Sequence, residues 1–129
     1  MYIGIEHVAI AAKDTEGLCS WYQTVLGFRV VYDNKKSPPT YFVRLGNQTL
    51  SLIEILPAGE GAPVRKETSD PGINHIAITV DEFETAVEDL ESKGVVMENI
   101  REASGGVKVG FFHDPEGNLL QIIDRPNPL

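Results

Sequence analysis

A single cysteine, Cys19, is the only thiol in the 129-residue chain, so no disulfide can close within it. That absence points to a reducing compartment and away from a disulfide-stapled secreted scaffold. Basic residues are scarce too: 11 Lys and Arg stand against 19 Asp and Glu, a formal net charge of −8. Nucleic-acid surfaces normally need a basic stripe, and this balance argues against one. No stretch reaches the roughly 20 apolar residues that a membrane-spanning helix requires. The first residues, Met1-Tyr2-Ile3-Gly4-Ile5-Glu6-His7, carry neither a basic start nor a long apolar run, unlike a secretion signal. The expectation is a soluble, cytoplasmic protein with no nucleic-acid or membrane partner.

What is present is the composition of a globular protein and a length suited to one domain, 1–129, with a real core. Within it runs a repeat. Ile5-Glu6-His7-Val8-Ala9-Ile10 returns as Ile73-Asn74-His75-Ile76-Ala77-Ile78, and each copy alternates at period two like a strand. A helical segment follows each copy. Asp14 is the expected cap and Gly27 the stop of the first, with Leu18, Trp21, Tyr22 and Val25 as its apolar stripe. Asp81 and Gly94 are the expected cap and stop of the second. Strands over Phe28–Tyr32 and Val95–Ile100 come next, then a hairpin in each half. The first hairpin joins Tyr41–Leu45 to Thr49–Leu56; the second joins Val107–Phe112 to Leu119–Asp124 through Asp114-Pro115-Glu116-Gly117-Asn118. The chain thus reads as α+β, with two βαβββ modules (about 3–56 and 73–125) joined by a polar linker at about 57–72. A curved mixed sheet around a shared pocket is the expected architecture.

Alternation assigns faces. Val8 and Ile10 fall on one side of the first strand, and His7 and Ala9 on the other. The second copy agrees, with Ile76 and Ile78 opposite His75 and Ala77. Matching Leu50-Ser51-Leu52-Ile53 to Leu120-Gln121-Ile122-Ile123 makes Leu50 and Leu52 core and turns Ser51 and Gln121 to the histidine side. The candidate quartet is therefore His7, Ser51, His75 and Gln121. Glu54, the nearby carboxylate, would then face away unless a β-bulge turned it inward.

Ile5–Ile10, Trp21-Tyr22 with Leu26-Gly27-Phe28, Gly72–Val80 and Phe111–Gln121 together resemble the vicinal-oxygen-chelate superfamily. That group includes glyoxalase I, bleomycin-resistance proteins, extradiol dioxygenases, fosfomycin-resistance enzymes and methylmalonyl-CoA epimerase. The resemblance covers nearly the whole chain and implies the paired βαβββ fold and a homodimer. It also implies a divalent metal (Zn, Ni, Co, Fe or Mn) held by His7, His75 and Gln121, with Ser51 at the remaining ligand position. Gln121 stands where Glu is usual, and Ser51 where Glu or Gln is usual, so the set lacks a carboxylate to offset a dication or act as base. The incomplete two-His-one-carboxylate pattern disfavours an extradiol dioxygenase.

Three functions follow as alternatives: a metal-dependent lyase or isomerase acting on an oxygen-bearing small molecule, a metal-free drug- or metabolite-binding protein of the bleomycin-resistance type, and a partner-binding module with a vestigial pocket. Outside the quartet, Cys19, Trp21 and Tyr22 read as packing residues, His113 as an exposed turn-edge residue, and Lys35-Lys36 as a solvated loop. Gly105-Gly106 reads as a loop at the pocket mouth, because no helix N-terminus follows to bind a phosphate. Arg44 and Arg101 are the cations to watch for an anionic substrate; parity does not place Arg101. Arg44 shares a parity class with Phe42, so one of the two pairs along that strand is exposed.

Overall fold

Where a strand pattern meets a glycine-stopped helix, the elements form as the residues direct. The computed structural model describes residues 1–47, 51–63, 67 and 69–129. Its coordinates fall into two units, Met1–Pro63 and Val64–Leu129.

In the first unit β1 (His7–Ala12) leads into α1 (Thr15–Leu26), followed by β2 (Arg29–Asp33), β3 (Tyr41–Arg44) and β4 (Leu52–Pro57). Asp14 caps α1 as expected, its Oδ1 accepting from the Gly17 amide at 2.9 Å. Gly27 closes the helix at φ 77°, where its amide and that of Phe28 donate to the last-turn carbonyls of Gln23 and Tyr22. A side chain there would be strained, which explains the glycine. The strand order is β1-β4-β3-β2, with β1 parallel to β4 and the other pairs antiparallel. Ile10, Val43, Ile53 and Ile55 are buried on one face of the sheet together with Leu18, Tyr22 and Phe28. Tyr22 meets both Trp21 and Phe28 edge-on at 5.3 Å, so the aromatic pair of α1 serves packing. Cys19 is buried alongside, and that burial pushes its thiol pKa up.

The second unit repeats the plan with β5 (Ile76–Thr79), α2 (Phe83–Ser92), β6 (Glu98–Glu102), a 3₁₀ turn (Ser104–Gly106), β7 (Lys108–His113) and β8 (Leu119–Asp124). Its order, β5-β8-β7-β6, again has one parallel pair at the β5 end. Phe83, Leu90, Phe112, Leu120 and Ile122 form its core. Gly110 permits the close packing there: a Cβ would lie 3.0 Å from the Met97 methyl and 3.6 Å from the Phe83 ring. The β7–β8 turn is knotted by buried Asp114, whose Oδ1 accepts from the amides of Glu116 and Asn118. Each unit thus has its own four-stranded mixed sheet, in an α+β arrangement of two helices and eight strands among the described residues. None of the described helices is long and apolar enough to cross a membrane.

Two expectations are corrected. Asp81 does not cap α2; the capping position is Glu82, which makes no side-chain cap bond. The last strand of the first unit begins at Leu52, not Thr49. Thr49 and Leu50, the latter expected in the core, lie outside the described residues.

Candidate functional site

Residues opposite one another across a ladder share a face, so the register maps the face that each sheet turns away from its core. In the first unit one row reads His7–Leu52–Arg44–Arg29 and the next Ala9–Glu54–Phe42–Tyr32. In the second unit the matching row is Ala77–Gln121–Phe111–Glu98, and Leu119 faces His113 beside it. His75 directly precedes β5 and alternates with Ala77. Each unit therefore carries the same trio: His7, Phe42 and Glu54 in one, and His75, Phe111 and Gln121 in the other.

This register overturns the expected partner of His7. Glu54 faces the histidine side with no bulge, because β4 pairs continuously with both neighbours from Leu52 to Ile55. Its Oε1 lies 3.7 Å from His7 Nε2. Ser51 precedes the strand and shares the parity of the buried Ile53 and Ile55. Its Oγ is buried with no hydrogen-bond partner among the described residues. Leu52, expected in the core, is half-buried on the histidine face instead. The expectation failed because apolar residues occupy both parities of this segment (Leu50 and Leu52, then Ile53 and Ile55). Alternation alone could not choose between them. The ladders make Glu54, three residues beyond Ser51, the counterpart of Gln121: each pairs with the Phe of its hairpin, Phe42 or Phe111.

The histidines are held alike. His7 Nδ1 lies 3.0 Å from Glu6 Oε1, and His75 Nδ1 lies 2.8 Å from Asn74 Oδ1. An accepting oxygen beside Nδ1 favours a proton on that nitrogen, and the Nδ1–H tautomer is the one in which Nε2 can bind a metal. The Phe42 ring stands edge-on to His7 at 5.2 Å, and Phe111 stands edge-on to His75 at 5.5 Å. Glu6, Asn74, Phe42 and Phe111 were not singled out from the sequence. The signal was there, since an oxygen-bearing residue precedes each histidine and a Phe recurs at corresponding places in the two hairpins.

His7 with Glu54 in the first unit, and His75 with Gln121 in the second, are donor types that suit a dication such as Zn or Mn. No group of three or more His, Cys, Asp and Glu able to hold an ion occurs among the described residues. The first unit thus holds a carboxylate–imidazole pair, and in the second unit Gln121 is largely buried at 8% exposure.

On the second unit's face His113 is exposed, as expected, but its Nδ1 lies 3.7 Å from Glu98 Oε1. Glu98 reaches that face because the β6–β7 register slips between Glu98 and Arg101. A similar slip between Val30 and Tyr32 sets Tyr32 against Phe42 at 5.9 Å. Arg44, which shares its strand parity with Phe42, lies on the His7 face; Arg101 is exposed on β6.

Residues 4–122 match the pattern of the Glyoxalase/Bleomycin resistance protein/Dioxygenase superfamily. The chain is 33% identical to the mitochondrial methylmalonyl-CoA epimerase of Homo sapiens over 128 aligned positions, 92% of this chain and 72% of that protein. It is 27% identical to Glyoxylase I 4 of Arabidopsis thaliana, covering 92% of this chain and 68% of that one. The glyoxalase family protein from Enterococcus faecalis superposes with a TM-score of 0.77 at 29% identity, covering 95% of this chain and 98% of that one. The chain belongs to the Glyoxalase/Bleomycin resistance protein/Dioxygenase superfamily.

Proposed function

We propose that the chain is a metal-dependent isomerase or epimerase that moves a proton beside a carbonyl of a small oxygen-bearing substrate. The observation that carries this reading is the Glu54 carboxylate 3.7 Å from His7 Nε2, on the face turned away from the core. His7, Glu54, His75 and Gln121 would hold the ion (Zn, Ni, Co, Fe or Mn). When bound, a dication polarises a carbonyl oxygen and acidifies the adjacent C–H. Glu54 is the one carboxylate of the four, so it takes the proton and returns it. Glu6 and Asn74 keep both imidazoles in the liganding tautomer. Phe42 and Phe111 shield one side of each imidazole from water. Identity to a protein named an epimerase supports the same reaction class.

The purified protein, stripped and then titrated with Co, Zn or Mn, is expected to take up metal in wild type and to lose that uptake in His7→Ala and His75→Ala. In deuterated water, metal-loaded protein should wash solvent deuterium into methylmalonyl-CoA, followed by proton NMR. Absence of metal uptake, with organic ligands bound equally in the presence of EDTA, would instead establish the metal-free binding protein.

A further inference from the structure

The face that carries His7 and Glu54 also carries two arginines in a setting that structural needs do not explain. Arg44 of β3 sits in the same row as His7, two strands away, with Leu52 between them. Directly across the β2–β3 ladder from Arg44 is Arg29. Like charges facing one another on a sheet destabilise it, yet no carboxylate among the described residues pairs with either arginine. Arg44 is half-buried and makes no ion pair or side-chain hydrogen bond among the described residues. Other cations do find carboxylates: Lys93 meets Asp89 and Lys108 meets Glu84, at 2.7 and 2.6 Å. Among the described residues Arg29 donates to neutral oxygens, Gly46 O and Asn47 Oδ1, both at 3.3 Å, which orients its guanidinium without cancelling its charge.

The second unit serves as an internal control. The position matching Arg44 is His113, and there a carboxylate, Glu98, is supplied. The same fold position thus faces a carboxylate in one unit and, among the described residues, none in the other. Guanidinium groups match carboxylate and phosphate geometry, and an uncompensated pair raises the local positive potential.

We propose that Arg44, assisted by Arg29, is the anion seat of the substrate site, and that the substrate carries a carboxylate or phosphate group in addition to its reacting carbonyl. The assignment rests on the reading of the His7–Glu54 face as the reaction site. Neighbouring strands lie roughly 5 Å apart, so one to two spacings put the anion about 5–10 Å from the reacting group. That span suits a short dicarboxylic or phosphorylated acyl compound. Phe42 and Tyr32 supply the apolar side of the path between them.

The test titrates the full-length protein with malonate and, separately, with inorganic phosphate, by calorimetry and by NMR of the arginine Nε–H signals. Wild type should bind at least one of the two, and the stronger of them identifies the group. Arg44→Gln should weaken that binding by about tenfold or more, as loss of a charge-assisted pair implies. Arg44→Lys should fall between the two, and Arg29→Gln should cause a smaller loss. Metal uptake should be the same in wild type and Arg44→Gln, which separates failure of the anion seat from failure of the metal reading. If Arg44→Gln folds poorly, the shift of the wild-type Arg44 Nε–H on adding anion decides the matter. No anion binding by wild type, binding undiminished in Arg44→Gln, or an unmoved Arg44 signal would overturn the proposal.

Discussion

At the scale of single residues, Glu54 and Ser51 exchange the roles that strand alternation first suggests. Glu54 lies 3.7 Å from the Nε2 of His7, whereas Ser51 buries a hydroxyl with no partner among the described residues. Glu54→Gln keeps size and hydrogen-bonding oxygen but removes the charge and the basicity. Turnover should fall by about 10²–10⁴-fold, the usual worth of a positioned general base, as steady-state kinetics would measure. Ser51→Ala should leave turnover unchanged. Stability should stay equal or rise by up to about 1 kcal/mol, because an unpartnered buried hydroxyl is itself unfavourable; thermal unfolding reads that. The faces of His7 in one unit, and of His75 and Gln121 in the other, were legible because each stands in an unambiguous alternation. Glu54 was not, since its strand is apolar at both parities and only ladder register decides between them.

At the scale of elements, the order of strands and helices in each unit is written in period-two and helical patterns and in the glycine stops. What the pattern left open is where α2 begins. Asp14 stands immediately before the first helical residue of α1 and reaches the Gly17 amide at 2.9 Å. Asp81 stands one residue too early, so the capping position falls to Glu82, which makes no cap bond. A cap must occupy one position relative to the first free amides, and an acidic residue nearby does not substitute for it. Asp14→Ala should therefore cost about 1 kcal/mol, while Asp81→Ala should stay within about 0.5 kcal/mol. Urea unfolding of the two variants compares them directly. An equal loss from both would show that charge near the helix start matters more than the Asp14–Gly17 bond.

At the scale of the whole molecule, the chain is one plan used twice with different polar residues at corresponding places. His7 and His75 are kept, as are Phe42 and Phe111, because imidazole orientation demands the same support in both units. Glu54 and Gln121 differ, as do Arg44 and His113. The repeat was visible in the sequence as paired strands. These contrasts were not, because seeing them requires the ladder registers that set Glu54 beside Phe42 and Gln121 beside Phe111. On the proposed function, the Glu–Gln contrast separates two demands that a single residue type would confound. A dication gains affinity from every added carboxylate, but proton transfer needs the carboxylate in one place. Gln121→Glu, which makes the second trio match the first, should therefore tighten Zn or Co binding by at least about tenfold through the added charge. Competition against a chelator of known affinity measures the change. The double variant Glu54→Gln with Gln121→Glu keeps the charge count and should bind metal about as wild type does. Its turnover should nevertheless stay as low as that of Glu54→Gln alone, because the base has moved to the other unit. Recovery of wild-type turnover in the double variant would mean that the two positions are interchangeable, and that Glu54 acts only by holding the ion.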